Sequence, residues 1–199
     1  MRTVPVISTP IPLTLISLTL ISLTILSLAS PASAQVPTSG NVFFGYSYYN
    51  TNLIGAGRAN LNGWEGSLEG KVFPGVGIVA DFSGHYGSQN FVNPGATCPV
   101  GVVCPTTMNP HVYQALFGPR FSASLGKFRP FAEFEFGVAH ASTGISGSDS
   151  GFATAVGGGL DYRIIRPVAW RFQGDYVSTH LFSAYENNAR LSTGIVVRF

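Results

Sequence analysis

One histidine and one serine come closest to a catalytic arrangement in this chain. His140 and Ser142 lie two positions apart, so an extended strand would point both side chains the same way. An imidazole can activate a neighbouring hydroxyl as a nucleophile, and Glu186 could orient the ring. This spacing is weak evidence, because polar residues near strand ends are common and no triad order supports it. We therefore predict no catalytic residue.

The two cysteines are a second pair with possible chemistry. Cys98 and Cys104 lie close together in one stretch rich in Pro, Gly and Asn. Two thiols without a clustered histidine or acid are too few ligands for a structural metal. In an exported protein they are expected to oxidise to a disulfide. We predict that disulfide, with no metal site and no cofactor.

Charged side chains form the largest set with chemical potential. Seven of the nine acids and seven of the eleven bases lie on the polar faces of predicted strands. They are Glu65, Glu69, Lys71, Asp81, Arg120, Arg129, Glu133, Glu135, Asp161, Arg163, Arg171, Asp175, Arg190 and Arg198. Asp81, Glu133 or Glu135 could act as acids in a wet site. Balanced signs fit an enclosed network better, because an unpaired buried charge is costly.

Strands with period-two alternation must position these charges. In 64–72, for example, Trp64 and Leu68 oppose Glu65 and Glu69. Eight strands are predicted: 41–49, 64–72, 76–86, 112–122, 128–140, 152–163, one beginning at Val168 and one over 190–199. Predicted loops include 51–61, 87–110, 142–150 and 180–189. Each strand is long enough to cross a bilayer when it is tilted, which takes ~9–11 residues. A soluble barrel would instead turn its apolar face inward.

The N-terminus carries an export pattern. Met1-Arg2-Thr3 is a short positive start, and 11–28 is rich in Leu and Ile. Pro31-Ala32-Ser33-Ala34 then supplies a small-residue cleavage site before Gln35. We predict a signal peptide over 1–34 and a mature domain over 35–199; the alternative is an uncleaved helical anchor. Charged residues are only 10% of the chain, and no basic patch indicates nucleic acid.

Aromatic residues and the last strand complete the pattern. Residues 190–199 alternate and end on the apolar face at Phe199. With short turns placed in the periplasm, aromatic side chains gather at two rims of an apolar band. One rim holds Tyr46, Tyr48, Trp64, Tyr86, Tyr113 and Tyr176, and the other holds Phe121, Phe128, Tyr162, Trp170 and Phe199.

These features resemble bacterial outer-membrane β-barrels of the small, eight-stranded OmpA transmembrane type. Within that class, the chain is similar to porin-like proteins with Gly45-Tyr46-Ser47-Tyr48 in the first strand and Asn187-Asn188-Ala189-Arg190 leading to Val196 in the last. The resemblance implies an all-β, antiparallel, up-and-down transmembrane barrel in the cell outer membrane. It also implies that Phe199 is an assembly signal read by the barrel-assembly machinery, that periplasmic chaperones escort the chain, and that the partners are outer-membrane lipid and lipopolysaccharide.

The resemblance leaves two function classes open. The first is a monomeric, non-enzymatic barrel with a structural, surface-contact or narrow-channel role. The second is a lipid-modifying enzyme of the lipid A deacylase or acyltransferase type, using His140. An eight-stranded lumen is just wide enough for side chains to fill, and we expect Phe131 among them. We expect Gly157 and Gly159 to leave gaps that admit some water.

Overall fold

Every regular element in the described part of the chain is a β-strand. The computed structural model describes residues 39–52, 58–92, 105–142, 147–181 and 184–199. The strands are β1 Gly40–Thr51, β2 Ala59–Phe73, β3 Val76–Tyr86, β4 Gln89–Val92, β5 Pro105–Met108, β6 His111–Ser122, β7 Phe128–Ser142, β8 Ser148–Arg163, β9 Val168–Leu181 and β10 Ala184–Arg198. The predicted signal peptide and both cysteines lie outside these residues, so the cleavage and the disulfide stay predictions.

Eight of the described strands close into one antiparallel barrel in the order β1-β10-β9-β8-β7-β6-β3-β2. The seam between β1 and β10 runs from Asn41 opposite Arg198 to Asn50 opposite Ala189. Closure gives every barrel strand two neighbours, so no edge is left unpaired. The predicted fold class is confirmed. Strands β4 and β5 form a separate two-stranded sheet in the long connection between β3 and β6.

Several strands extend further than the sequence predicts. The predicted loop over 180–189 is wrong, because β9 continues to Leu181 and β10 begins at Ala184. Similarly, β2 begins at Ala59 and β8 at Ser148. In these extensions the outward face changes from apolar to polar while the backbone ladder continues. Hydrophobic alternation therefore ends before the hydrogen-bonded strand does.

The two ends of the barrel differ in their connections. At one end, here called the turn end, short turns follow β2, β6 and β8. Gly75 and Gly126 occupy two of these turns with φ angles of 83° and 65°, a region that glycine enters without steric cost. The opposite end, here called the loop end, carries the connections that follow β1, β3, β7 and β9.

The barrel wall is apolar outside and polar inside. Arg171 is 0% exposed, whereas the next residue, Phe172, is 60% exposed. The same inversion runs along the other strands, so the face that a soluble protein would bury is the one this barrel exposes. In the described residues no helix has the length and hydropathy needed to cross a membrane.

Candidate functional site: the charged lumen

The outer wall carries aromatic side chains in two belts. Towards the loop end, Tyr86 and Tyr113 meet edge to face with ring centroids 5.7 Å apart. Towards the turn end, Phe128 packs on Tyr162 at 5.2 Å, and Tyr162 lies opposite Trp170 in the ladder. The band between the belts is aliphatic and Phe-rich. Aromatic belts flanking an apolar band are typical of transmembrane barrels.

Above the loop-end belt, the outer wall becomes polar on β1 and β2. Asn60 Oδ1 accepts hydrogen bonds from Tyr48 Oη at 2.8 Å and from Asn50 Nδ2 at 2.6 Å. Tyr46 also donates to the Asn62 side chain. These outward side chains are hydrogen-bonded polar groups, so the apolar band ends at this level. No Asp, Glu, Lys or Arg faces outward on the eight barrel strands.

All fourteen charged residues singled out from the sequence lie on the inward side of the wall. Eleven are buried; the other three, Lys71, Arg163 and Arg198, are partly exposed at the turn end. Within the described residues, Lys71 and Arg163 take part in no ion pair, while the remaining residues form three groups, each built around one or two arginines.

Arg190 is the centre of the most buried group. Its Nη1 lies 2.7 Å from Asp81 Oδ1, and its Nε lies 2.8 Å from Asp175 Oδ2. Nε is also 3.4 Å from Glu65 Oε2, and Nη2 is 3.8 Å from Glu135 Oε2. Four carboxyl groups from four strands thus converge on one guanidinium. A planar fork with five donors suits this role, which the single ammonium of lysine could not fill.

Uncharged side chains extend the Arg190 group. Gln173 Nε2 donates to Glu65 Oε1 at 3.1 Å and to Asp175 Oδ2 at 3.0 Å. Ser192 Oγ lies 2.5 Å from Glu65 Oε2 and 2.9 Å from Ser47 Oγ. These contacts supply hydrogen bonds that buried carboxylates would otherwise lack.

A second group lies nearer the turn end. Arg120 contacts Glu133 at 2.5 Å and Glu69 at 3.4 Å. Arg129 Nη2 reaches Glu69 Oε1 at 2.9 Å and Ser122 Oγ at 2.6 Å. Two arginines and two glutamates therefore neutralise each other across β2, β6 and β7.

The third group joins the lumen to the turn end. Arg171 holds Asp161 with two contacts, at 2.7 and 3.2 Å, and Arg198 reaches the same carboxylate at 3.2 Å. The Phe131 ring contacts both the Arg120 and the Arg171 guanidinium, with each Cζ 4.6 Å from the ring centroid. The π face of the ring attracts both cations.

Two glycines in β8 have a different role from the one expected. A Cβ at Gly157 would lie 2.0 Å from Asp175 Oδ1, and one at Gly159 would lie 2.7 Å from Phe131 Cζ. The expected gaps are therefore filled by side chains from β9 and β7. Glycine is required here because the lumen is tightly packed.

The loop-end half of the lumen contains an apolar cluster, which sequence reasoning missed. Eleven buried side chains form one cluster there: Tyr49, Ala59, Leu61, Val112, Leu116, Ala139, Ala141, Ala153, Ala155, Val177 and Leu181. Apart from Glu186 on β10 and Asp149 on β8, the strands carry no charge at this level, so alternation gives little signal. On every barrel strand except β1, which has no charged residue, the inward register follows by counting in twos from charged residues on the same strand.

Tyr49 and His85 form the boundary between the apolar and charged layers. Their rings stack with centroids 4.8 Å apart, and His85 shares a 2.8 Å hydrogen bond with Ser47. Gln114 Nε2 donates to Tyr49 Oη at 3.0 Å. Alternation in the sequence places His85 and Gln114 on polar strand faces, with Asp81 and Arg120 respectively, but it does not identify Tyr49 as a lumen residue.

The possible catalytic residues do not meet. His140 lies on the outer wall and bonds Ser150 at 2.7 Å rather than Ser142, whereas Glu186 is buried inside. The barrel wall separates the ring from the carboxyl group that would have oriented it. Among the described residues, no group of three or more His, Cys, Asp or Glu side chains could hold a metal ion.

Solved structures of other proteins resemble this barrel, whereas sequence comparisons find no match. No family model and no curated protein sequence matches the chain. Among solved structures, Neisserial surface protein A, NspA, is 14% identical with a TM-score of 0.62, covering 80% of this chain and 97% of that one. The Yersinia pestis attachment invasion locus protein Ail, in complex with the heparin analogue sucrose octasulfate, is 17% identical with a TM-score of 0.53, covering 81% and 98%. Both are eight-stranded outer-membrane barrels. The chain therefore has the fold of the small eight-stranded outer-membrane β-barrels.

Proposed function

We propose that this chain is an integral outer-membrane protein with a structural or surface-contact role and a plugged lumen. The observation that carries the proposal is the distribution of charge. On the barrel strands every acidic or basic side chain faces inward, and the outward face is an apolar band between aromatic belts. Such a wall suits a hydrocarbon environment, where lipid-facing charge is costly.

The contact role is proposed for the loop end. NspA is named a surface protein and Ail an attachment invasion protein, which supports a similar use of this fold here. In this chain the loop end carries the β4–β5 sheet and the hydrogen-bonded asparagines of β1 and β2. We propose outer-membrane lipid and lipopolysaccharide as its surroundings and the monomer as its state.

A non-enzymatic role is proposed because the outer wall lacks a complete catalytic set. His140 and Ser150 are in contact, but no carboxyl group on the barrel strands faces outward to orient the imidazole. The lipid-modifying alternative therefore rests on a histidine–serine pair alone, which is less than acyl transfer by a serine nucleophile ordinarily uses.

Membrane location is tested by fractionation and by heat modifiability. We expect the protein to sediment with the outer membrane and to migrate faster on a detergent gel before boiling than after. A closed barrel pairs its backbone groups internally and resists detergent until heated. A periplasmic marker run in parallel controls for carry-over. Recovery in the soluble fraction, or equal mobility in both lanes, would contradict the proposal.

Conductance is the second measurement that bears on the proposed role. We expect at most small, flickering currents when the purified barrel is inserted in a planar bilayer. Ion pairs occupy the middle of the lumen, an apolar cluster lies in its loop-end half, and an eight-stranded barrel is just wide enough for side chains to fill. A 16-stranded porin in the same bilayer provides the reference for an open pore. A steady porin-like current from this barrel would show that the lumen is open.

A further inference from the structure

Basic residues concentrate at the turn end of the barrel. Six lie there: Lys71, Lys127, Arg129, Arg163, Arg166 and Arg198. Lys71, Arg129, Arg163 and Arg198 lie on the inward side of β2, β7, β8 and β10, and we call them the basic ring. Backbone hydrogen bonds fix the position of three of these residues along the barrel axis. Lys71 N donates to Ser39 O at 3.0 Å, Arg163 N to Lys127 O at 2.8 Å and Arg198 N to Pro167 O at 3.0 Å.

The acids near the basic ring are already engaged. Glu69 is shared by Arg129 and Arg120, and Asp161 is shared by Arg171 and Arg198. Both carboxyl groups are buried, at 1% exposure. In the described residues, Lys71 and Arg163 have no ion-pair partner and are partly exposed at the opening. Two positive charges at the turn end are therefore not paired with any side-chain carboxyl group in the described residues.

Further along the lumen, basic partners for an anion are few. Beyond the ring and the Arg120 and Arg171 groups, one guanidinium, that of Arg190, is already shared by four carboxyl groups. An apolar cluster lies in the loop-end half, so the basic ring is the part of the described lumen that suits an anion. Charges set in a low-dielectric wall focus their field into the opening and raise the local concentration of a counter-ion.

We propose that the basic ring binds a phosphate-type anion, supplied either as a free phosphate group or as a lipid headgroup. Arginine forks and a lysine ammonium are the side chains that recognise such groups. The ring lies at the level of Phe128, Tyr162 and Trp170, the aromatic belt expected at headgroup height. The lipid source rests on the membrane location proposed above, whereas the free-anion source does not.

The test compares two forms of the full barrel. In neutral detergent micelles, the protein is titrated with inorganic phosphate and pyrophosphate by calorimetry. In nanodiscs, arginine side-chain NMR signals are compared between phosphatidylcholine and phosphatidylglycerol. Binding in micelles identifies the free anion, and shifts seen only with phosphatidylglycerol identify the headgroup; either supports the ring as a phosphate site.

The variant Lys71→Gln/Arg163→Gln removes the two bases that lack an ion pair. We expect the double variant to bind at least about tenfold more weakly, because each basic group near an anionic surface contributes about 1 kcal/mol. Arg58→Gln, at the loop end, is the matched control and should leave affinity unchanged. Heat modifiability verifies that each variant folds, and the two single variants replace the double one if it does not. No binding in either form, or equal binding by wild type and variants, would overturn the proposal.

Discussion

Replacing Arg190 by leucine should lower the free energy of unfolding by about 3–5 kcal/mol, the usual cost of removing one partner from a buried ion group. The substitution leaves four carboxyl groups facing one another without a cation, at side-chain exposures of 0–1%. Unfolding by denaturant in lipid vesicles, followed by tryptophan fluorescence, measures the change. If Arg190→Leu gave no heat-modifiable band at all, the loss of stability would be large enough to prevent folding, which also agrees with the prediction.

The matched control is Arg163→Gln, which also removes one inward arginine. Arg163 is partly exposed and in no ion pair within the described residues, so the expected change is below about 1 kcal/mol. Arg190→Lys should fall between the two, because it keeps the charge but loses the fork. Equal stability of Arg190→Leu and wild type would show that the carboxyl groups do not depend on Arg190.

Phe131→Ala should destabilise the barrel by about 3–5 kcal/mol, as is usual when a buried phenylalanine is truncated. The loss has two parts: a cavity in a packed lumen, and two guanidiniums that no longer share a ring at 4.6 Å. Phe131→Leu separates them, because leucine fills much of the volume but has no π face. The same denaturant titration reports both variants.

Phe134→Ala is the control for Phe131→Ala on the same strand. Phe134 is outward and 46% exposed on the apolar wall, so its removal creates no cavity in the lumen. We expect a clearly smaller loss than for Phe131→Ala. If the two alanine variants were equally destabilised, the ring that contacts Arg120 and Arg171 would have no special role in stability.

Strand alternation was predictable because lipid and lumen impose opposite demands on successive residues. Arg171 and Phe172 show this most clearly, and charge on one face was enough to set the register of every barrel strand except β1, which has no charged residue. Prediction failed where both faces carry similar residues. Around Asn188 the outward side chains, Asn187 and Ala189, are polar or small, so the sequence indicated a loop where β10 already pairs with β9.

The ion pairs themselves were beyond sequence reasoning. Arg190 and Asp81 are 109 positions apart, and their contact at 2.7 Å depends on the closed circumference of the barrel. Strand order and stagger decide which carboxyl groups reach a given arginine. Alternation in the sequence encodes neither of them. The same holds for His140, whose partner Ser150 lies on the neighbouring strand rather than two residues away.

The seam between β1 and β10 has a consequence for how the chain folds. Its partners, such as Asn41 and Arg198, are on the order of 150 positions apart, so the contact is among the least local that the chain can make. A nascent chain lacking β10 has a free donor and acceptor row on β1, which is a template for pairing with other chains. Until β10 pairs with β1, a partly built barrel therefore exposes a strand edge that can pair with another chain.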